Sequence, residues 1–190
     1  VAAKLGARNL VRQFGSSAAE RTPPDLAAWR QELEAWVRTV PVELLAEHRF
    51  IELPAKQPPW FDTGLQIAAG DMITWFAAGR VYLSRALDIW VGPGFQLWFR
   101  LGERGPVFRG TRATNTFTAR ERGRLWLASY FPGEWADPSG ALRTPANDYA
   151  QVSGGLSALT LRWPMGTDVH RLFQDFAHDT RVPGLVLAEA

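Results

Sequence analysis

From Pro58 onward the chain is built of short apolar, β-branched and aromatic runs cut by Gly, Pro and Asp, and this punctuation constrains the fold more than any other feature. Runs of this length are too short for an amphipathic helix, and their regular breaks are those of a β-sandwich or barrel. The expected strands are Leu65 to Ala68, Met72 to Ala78, Arg80 to Leu83, Phe95 to Leu101, Thr114 to Ala119, Arg124 to Tyr130 and Ser157 to Trp163. In the run at 95, Phe95, Leu97, Phe99 and Leu101 alternate with Gln96, Trp98 and Arg100. A period of two puts the first set on a buried face and leaves a mixed face outside.

The first 60 residues read differently. Thr22-Pro23-Pro24-Asp25 predicts a helix start, with Thr22 as N-cap, Pro23 at the first helical position and Asp25 closing a capping box. Leu26, Trp29, Leu33, Trp36, Val37 and Val40 then fall on one helical face, and Pro41 ends the helix. A shorter helix is expected over Val42 to His48, followed by an extended Phe50 to Leu53. Upstream, Lys4, Arg8 and Arg12 form a basic row before Gly15-Ser16-Ser17. A last helix starts near Thr167-Asp168, with Val169, Leu172, Phe173 and Phe176 on one stripe.

Several chemistries are excluded by composition. With no cysteine, disulfide scaffolds, thiol enzymes, zinc fingers and iron–sulfur proteins all lack their sulfur. No stretch approaches the roughly 18 to 20 apolar residues of a membrane-spanning helix; the richest is Met72 to Ala78. The first residue is Val, so the native N-terminus is expected to have been removed, which leaves the compartment unknown: soluble, or peripheral to a membrane complex.

Catalytic groups are sparse. His48, His170 and His178 have no acids arranged with them for a triad or metal site, and read as surface or helix-end residues. No nucleophile elbow, phosphate loop or dinucleotide fingerprint is present. The carboxylates Glu134, Asp137 and Asp148 are the residue types of a glycosidase pair, and an enzyme using Glu134 and Asp137 stands as the least favoured reading. The expectation is a protein that is not an enzyme.

Binding features are richer. The turn-rich loop Phe131 to Gly140 holds Glu134, Trp135 and Asp137 directly after an apolar strand. Its acids suit calcium, and an exposed Trp135 suits a sugar face or a partner side chain; alternatively Trp135 folds back on the end of the sandwich and the acids are merely solvated. Residues 80 to 124 carry nine arginines against Asp88, Glu103 and Glu121, a local charge of +6 in a chain whose total is +2. Arginine favours bidentate pairing with an acidic protein or anionic surface, whereas nucleic acid is disfavoured because no recognition motif accompanies the charge. The alternative is a set of solvated positions.

Trp60-Phe61-Asp62-Thr63-Gly64, Ala69-Gly70-Asp71-Met72-Ile73-Thr74 and Ala77-Ala78-Gly79 resemble the opening strands of the bacterial galactophilic calcium-lectin family, a galactose-binding-like β-sandwich. Phe108-Arg109-Gly110 to Phe117, Gly123-Arg124-Leu125-Trp126-Leu127 and the loop ending Asp137-Pro138-Ser139-Gly140 follow that family's later strands in order. The resemblance covers residues of about 60 to 163 and implies a bacterial source. It places the family's calcium ligands on Ser129 and Tyr130, on Glu134, on Asp137 and Pro138, and near Tyr82 or Leu83. Of these only Glu134 and Asp137 offer carboxylates, so the implied metal and sugar site is reduced.

Together these readings predict a mainly β, jelly-roll-like sandwich over residues 50 to 164, with a helical extension at 1 to 49 and a helix and tail at 165 to 190. The leading expectation is an accessory module that docks on other protein subunits through Arg100, Arg104, Arg109, Arg112, Trp29 and Trp36, with no cofactor. The second is a carbohydrate-binding domain using Trp135, Glu134, Asp137 and Tyr130, with calcium optional on Glu134 and Asp137.

Overall fold

The computed structural model describes residues 23–55, 60–131, 135–143 and 151–179, the side chains of 175–179 excepted. The basic row at 4 to 12, Thr22, Glu134, Asp148 and the side chains of Phe176 and His178 therefore lie outside the described residues. Among the described residues nine strands form two antiparallel sheets: β1 (Glu47–Pro54), β2 (Phe61–Ile67), β3 (Met72–Ser84), β4 (Ile89–Val91), β5 (Leu97–Leu101), β6 (Phe108–Arg109), β7 (Thr114–Thr118), β8 (Gly123–Ser129) and β9 (Ser153–Trp163). The first sheet runs β1-β9-β3-β4 with β7 also on β3, and the second runs β2-β8-β5-β6. With β4 set aside, β1-β9-β3-β7 faces β2-β8-β5-β6, and successive strands, except the paired β5 and β6, cross between the sheets in the jelly-roll manner.

The core forms where the inward sets of the two sheets meet. Ile51, Leu53, Ile73, Trp75, Val81, Leu156 and Ala158 from the first sheet pack on Leu65, Ile67, Leu97, Phe99, Leu125 and Leu127 from the second. Asp71, 4% exposed, closes the β2–β3 turn: its Oδ2 accepts from the Ala68 amide at 2.8 Å and from Arg162 Nε at 2.7 Å, which ties the turn to β9.

The outer face of the first sheet is covered by helices α1 (Leu26–Val37) and α3 (Val169–Asp179). Leu33, Trp36 and Val37 from α1 and Val169, Leu172 and Phe173 from α3 seal Phe76, Leu159, Leu161 and Trp163. Trp36 lies 5.4 Å from Phe76 and 5.9 Å from Phe173, centroid to centroid, and Trp163 Nε1 donates to Thr74 Oγ1 at 2.9 Å.

Several local expectations are corrected. Helix α1 begins at Leu26 with Asp25 as its N-cap, because the Asp25 carboxylate accepts from both the Ala27 and Ala28 amides at 3.0 Å; Pro23 precedes the helix. The expected helix over 42 to 48 is a turn followed by β1, which already starts at Glu47 because β9 offers eight consecutive partners. Phe95 does not extend β5; Pro93–Gln96 is a single helical turn, α2, set by Pro93 at its start. The runs at 72 and 80 are one strand. Gly79 has φ +114 and a Cβ there would sit 2.4 Å from the Gly155 carbonyl oxygen, so glycine lets β3 continue past β9 where any side chain would break it. The short strands β4 and β6 were not anticipated.

Candidate functional site

Among the described residues no helix lies on the outer face of the second sheet. Alternation on β8 turns Leu125 and Leu127 inward and Arg124, Trp126 and Ala128 outward; on β5 it turns Leu97 and Phe99 inward and Trp98 and Arg100 outward. The register places Asp62, Trp126 and Arg100 in one row across β2, β8 and β5, and Ala128, Trp98 and Arg109 in the next across β8, β5 and β6. Cross-strand neighbours of this kind touch, so an aromatic and cationic patch follows directly from the two strand sequences.

One loop covers part of this patch. Trp135 bridges to Leu142, Ala136 N donates to Ala141 O at 2.7 Å, and Val107 N donates to Pro138 O at 2.8 Å, which closes residues 135–142 over the sheet. Trp135 stacks on Trp60 (5.2 Å, 19°), meets Trp98 edge to face (5.5 Å) and lies 4.9 Å from Tyr130. Trp60 Nε1 donates to Gly140 O at 3.1 Å and Trp98 Nε1 to Tyr130 O at 2.8 Å. Gly140 is required here: its φ is +82, and a Cβ would come within 2.6 Å of the Trp60 ring.

Arg100 sits at the centre of what remains open. Its guanidinium carbon lies 4.4 Å from the Trp60 ring centre and 5.3 Å from that of Trp126, and its Nη1 donates to Ser139 O at 3.0 Å. Burial lowers its pKa below the ordinary arginine value, and the neighbouring Glu103 charge opposes that shift. Trp60, Trp126 and Arg100 are half-buried, so each keeps surface toward solvent. Beside them Arg124 Nε donates to Asp62 Oδ1 at 2.7 Å. Arg100 Nε, Trp126 Nε1 and Trp135 Nε1 are buried and have no hydrogen-bond partner among the described residues.

The expected ligand residues are distributed unevenly about this patch. Trp135 and Tyr130 belong to the cluster but are 8% and 3% exposed, so Trp135 is not the exposed platform expected; it folds back on the sheet because three aromatic rings surround it. Asp137 is exposed, and its Oδ1 accepts from Ser139 N at 2.7 Å and Ser139 Oγ at 2.6 Å. Those bonds lower its pKa below the usual carboxylate range, the Ser139 hydroxyl contributing most. Glu134 lies outside the described residues, and among the described residues no group of three or more His, Asp and Glu is placed to hold a metal ion.

The expected docking residues divide as well. Trp36 is 2% exposed beneath α3 and Trp29 is half-buried beside it, so the helical stripe is used inside the protein. Arg104, Arg109 and Arg112 are exposed. Sequence reasoning missed Trp60, Trp126 and the Asp62–Arg124 pair. The available signal was the second alternation, Arg124-Leu125-Trp126-Leu127, which matches the mixed face already visible at Trp98 and Arg100.

No family model matches the chain, and no curated protein matches it. Among solved structures, one described as "EclA N-terminal domain; PllA-like lectin" is 20% identical, covering 60% of this chain and 94% of its own, with a TM-score of 0.44.

Proposed function

We propose that this chain is a non-catalytic carbohydrate-binding domain whose sugar platform is the open outer face of the β2-β8-β5-β6 sheet. The supporting observation is Arg100 held against the half-exposed rings of Trp60 and Trp126, one strand from the Asp62–Arg124 pair. A pyranose presents C–H groups on its faces and hydroxyls around its rim. The indoles suit the faces, while guanidinium donors and the Asp62 carboxylate suit the hydroxyls as acceptor and donor partners. The docking reading loses Trp36 to the helix–sheet interface and keeps the exposed Arg104, Arg109 and Arg112, of which Arg109 borders the platform on β6 opposite Trp98.

Calorimetric titration with a panel of glycosides, with and without calcium, tests this reading. A sugar that binds the wild type is expected to bind Trp126→Ala about tenfold more weakly, the loss of about 1.4 kcal/mol of ring contact. Silence across the panel, or binding indifferent to Trp126→Ala, contradicts it. Strict calcium dependence would shift the ligand set to the loop carrying Glu134 and Asp137.

A further inference from the structure

The opposite edge of the sandwich carries a second, independent feature. Strand β7 pairs with β3 on one side, and among the described residues no strand pairs with its other side. Ala77 N donates to Ala113 O and Ala119 N to Asp71 O, so the odd-numbered residues of this segment bond to β3. In an antiparallel ladder the even-numbered ones, Thr114, Thr116 and Thr118, then turn their backbone groups outward. The Thr116 amide is held by the Asn115 side chain at 2.9 Å, an acceptor standing where the carbonyl of an added strand would stand. No proline or bulge protects this edge.

Beneath the edge a cleft of about 490 Å³ opens between the sheets, lined by Leu101, Pro106, Phe108 and Phe117, with Arg120 and Glu121 at its margin. Phe108 and Phe117 meet edge to face at 5.0 Å and are half-buried, so the aromatic end of the core is reachable there. The surrounding turns expose Arg104, Arg112, Arg120 and Arg122, whose guanidinium groups have no partner among the described residues.

We infer that the β7 edge is a docking site for an extended acidic segment of a partner protein, which adds a strand to the first sheet and places alternate apolar side chains in the Phe108–Phe117 cleft. Strand addition supplies the backbone bonds, the pleat sends every second side chain into the cleft, and the flanking arginines pair with acidic residues between them. A second copy of this chain is the wrong occupant. Antiparallel pairing of β7 with itself about Thr116 sets Arg112 of one copy opposite Arg120 of the other, a like-charge contact at both ends.

The test is fluorescence anisotropy with a labelled peptide of alternating Glu and Leu, titrated with the full chain at low and high salt. A matched peptide carrying Gln for Glu is the control. Thr118→Pro removes an outward amide while leaving the β3 ladder intact, and the double variant Arg112→Glu/Arg120→Glu reverses the flanking charge; melting curves confirm that each folds. Binding of the acidic peptide that weakens about tenfold in each variant and with added salt is expected, with the Gln peptide binding more weakly. Absence of binding, equal binding of both peptides, or binding unchanged in the double variant overturns the proposal. So does a wild-type dimer in sedimentation that Thr118→Pro dissociates. None of these outcomes depends on the sugar platform, whose residues lie on another face.

Discussion

The two outer faces of the sandwich are both rich in aromatic residues, and they are finished in opposite ways. On the first sheet, Phe76 and Trp163 are sealed by Trp36 and Phe173 from two helices, and the Trp163 indole N–H is satisfied by Thr74. On the second, among the described residues, Trp60, Trp98 and Trp135 are met by the 135–142 loop, and Arg100 enters the cluster between Trp60 and Trp126. Aromatic content alone therefore does not mark a site. What separates the two faces here is a cation held among the rings and ring surface left open.

Breaking the sealed face has the largest expected effect. Trp36→Ala removes a ring packed on Phe76 and Phe173 and is expected to cost about 3 to 5 kcal/mol in denaturant unfolding, with the second-sheet face unaffected in its ligand binding. Asp71→Ala comes next: it strips the carboxylate from the Arg162 pair and the β2–β3 turn, at about 3 kcal/mol by the same measurement.

The open face responds more mildly. Gly140→Ala forces a side chain into a left-handed backbone against the Trp60 ring, with an expected cost of about 1 to 2 kcal/mol and a change in tryptophan fluorescence as the loop shifts. Smallest is the acid response of that loop. Since the Ser139 bonds lower the folded pKa of Asp137, its contribution is present above the unfolded carboxylate range and is lost as pH falls through the lower folded value. Tryptophan fluorescence of the wild type is expected to change below about pH 4, and Asp137→Asn to abolish that component.

Much of this contrast is legible in the chain. The punctuated apolar runs gave the fold class, since a strand needs little more than alternation and a turn. The mixed face of β5 was also readable, with Trp98 and Arg100 alternating against Leu97 and Phe99. Other features depend on distant partners. Trp135 reads equally as an exposed loop residue or as one folded back on the sandwich, and what decides for the second is Trp60 and Trp98, remote in sequence, together with the nearby Tyr130. Gly79 reads as a break, yet it lets β3 pass the β9 backbone at Gly155. Asp25 and Thr22 are both acceptable N-caps by type, and only the positions of the Ala27 and Ala28 amides select between them. The Asp62–Arg124 pair spans 62 residues and has no local sign.

The central claim is that the second sheet's outer face, and not the helix-covered one, meets ligand. Two-dimensional NMR of the indole N–H resonances during titration with a bound glycoside tests it most directly. The account predicts that the Trp60 and Trp126 signals move while those of Trp36 and Trp163 stay fixed. Movement confined to Trp36 and Trp163, or none at either face, would contradict it.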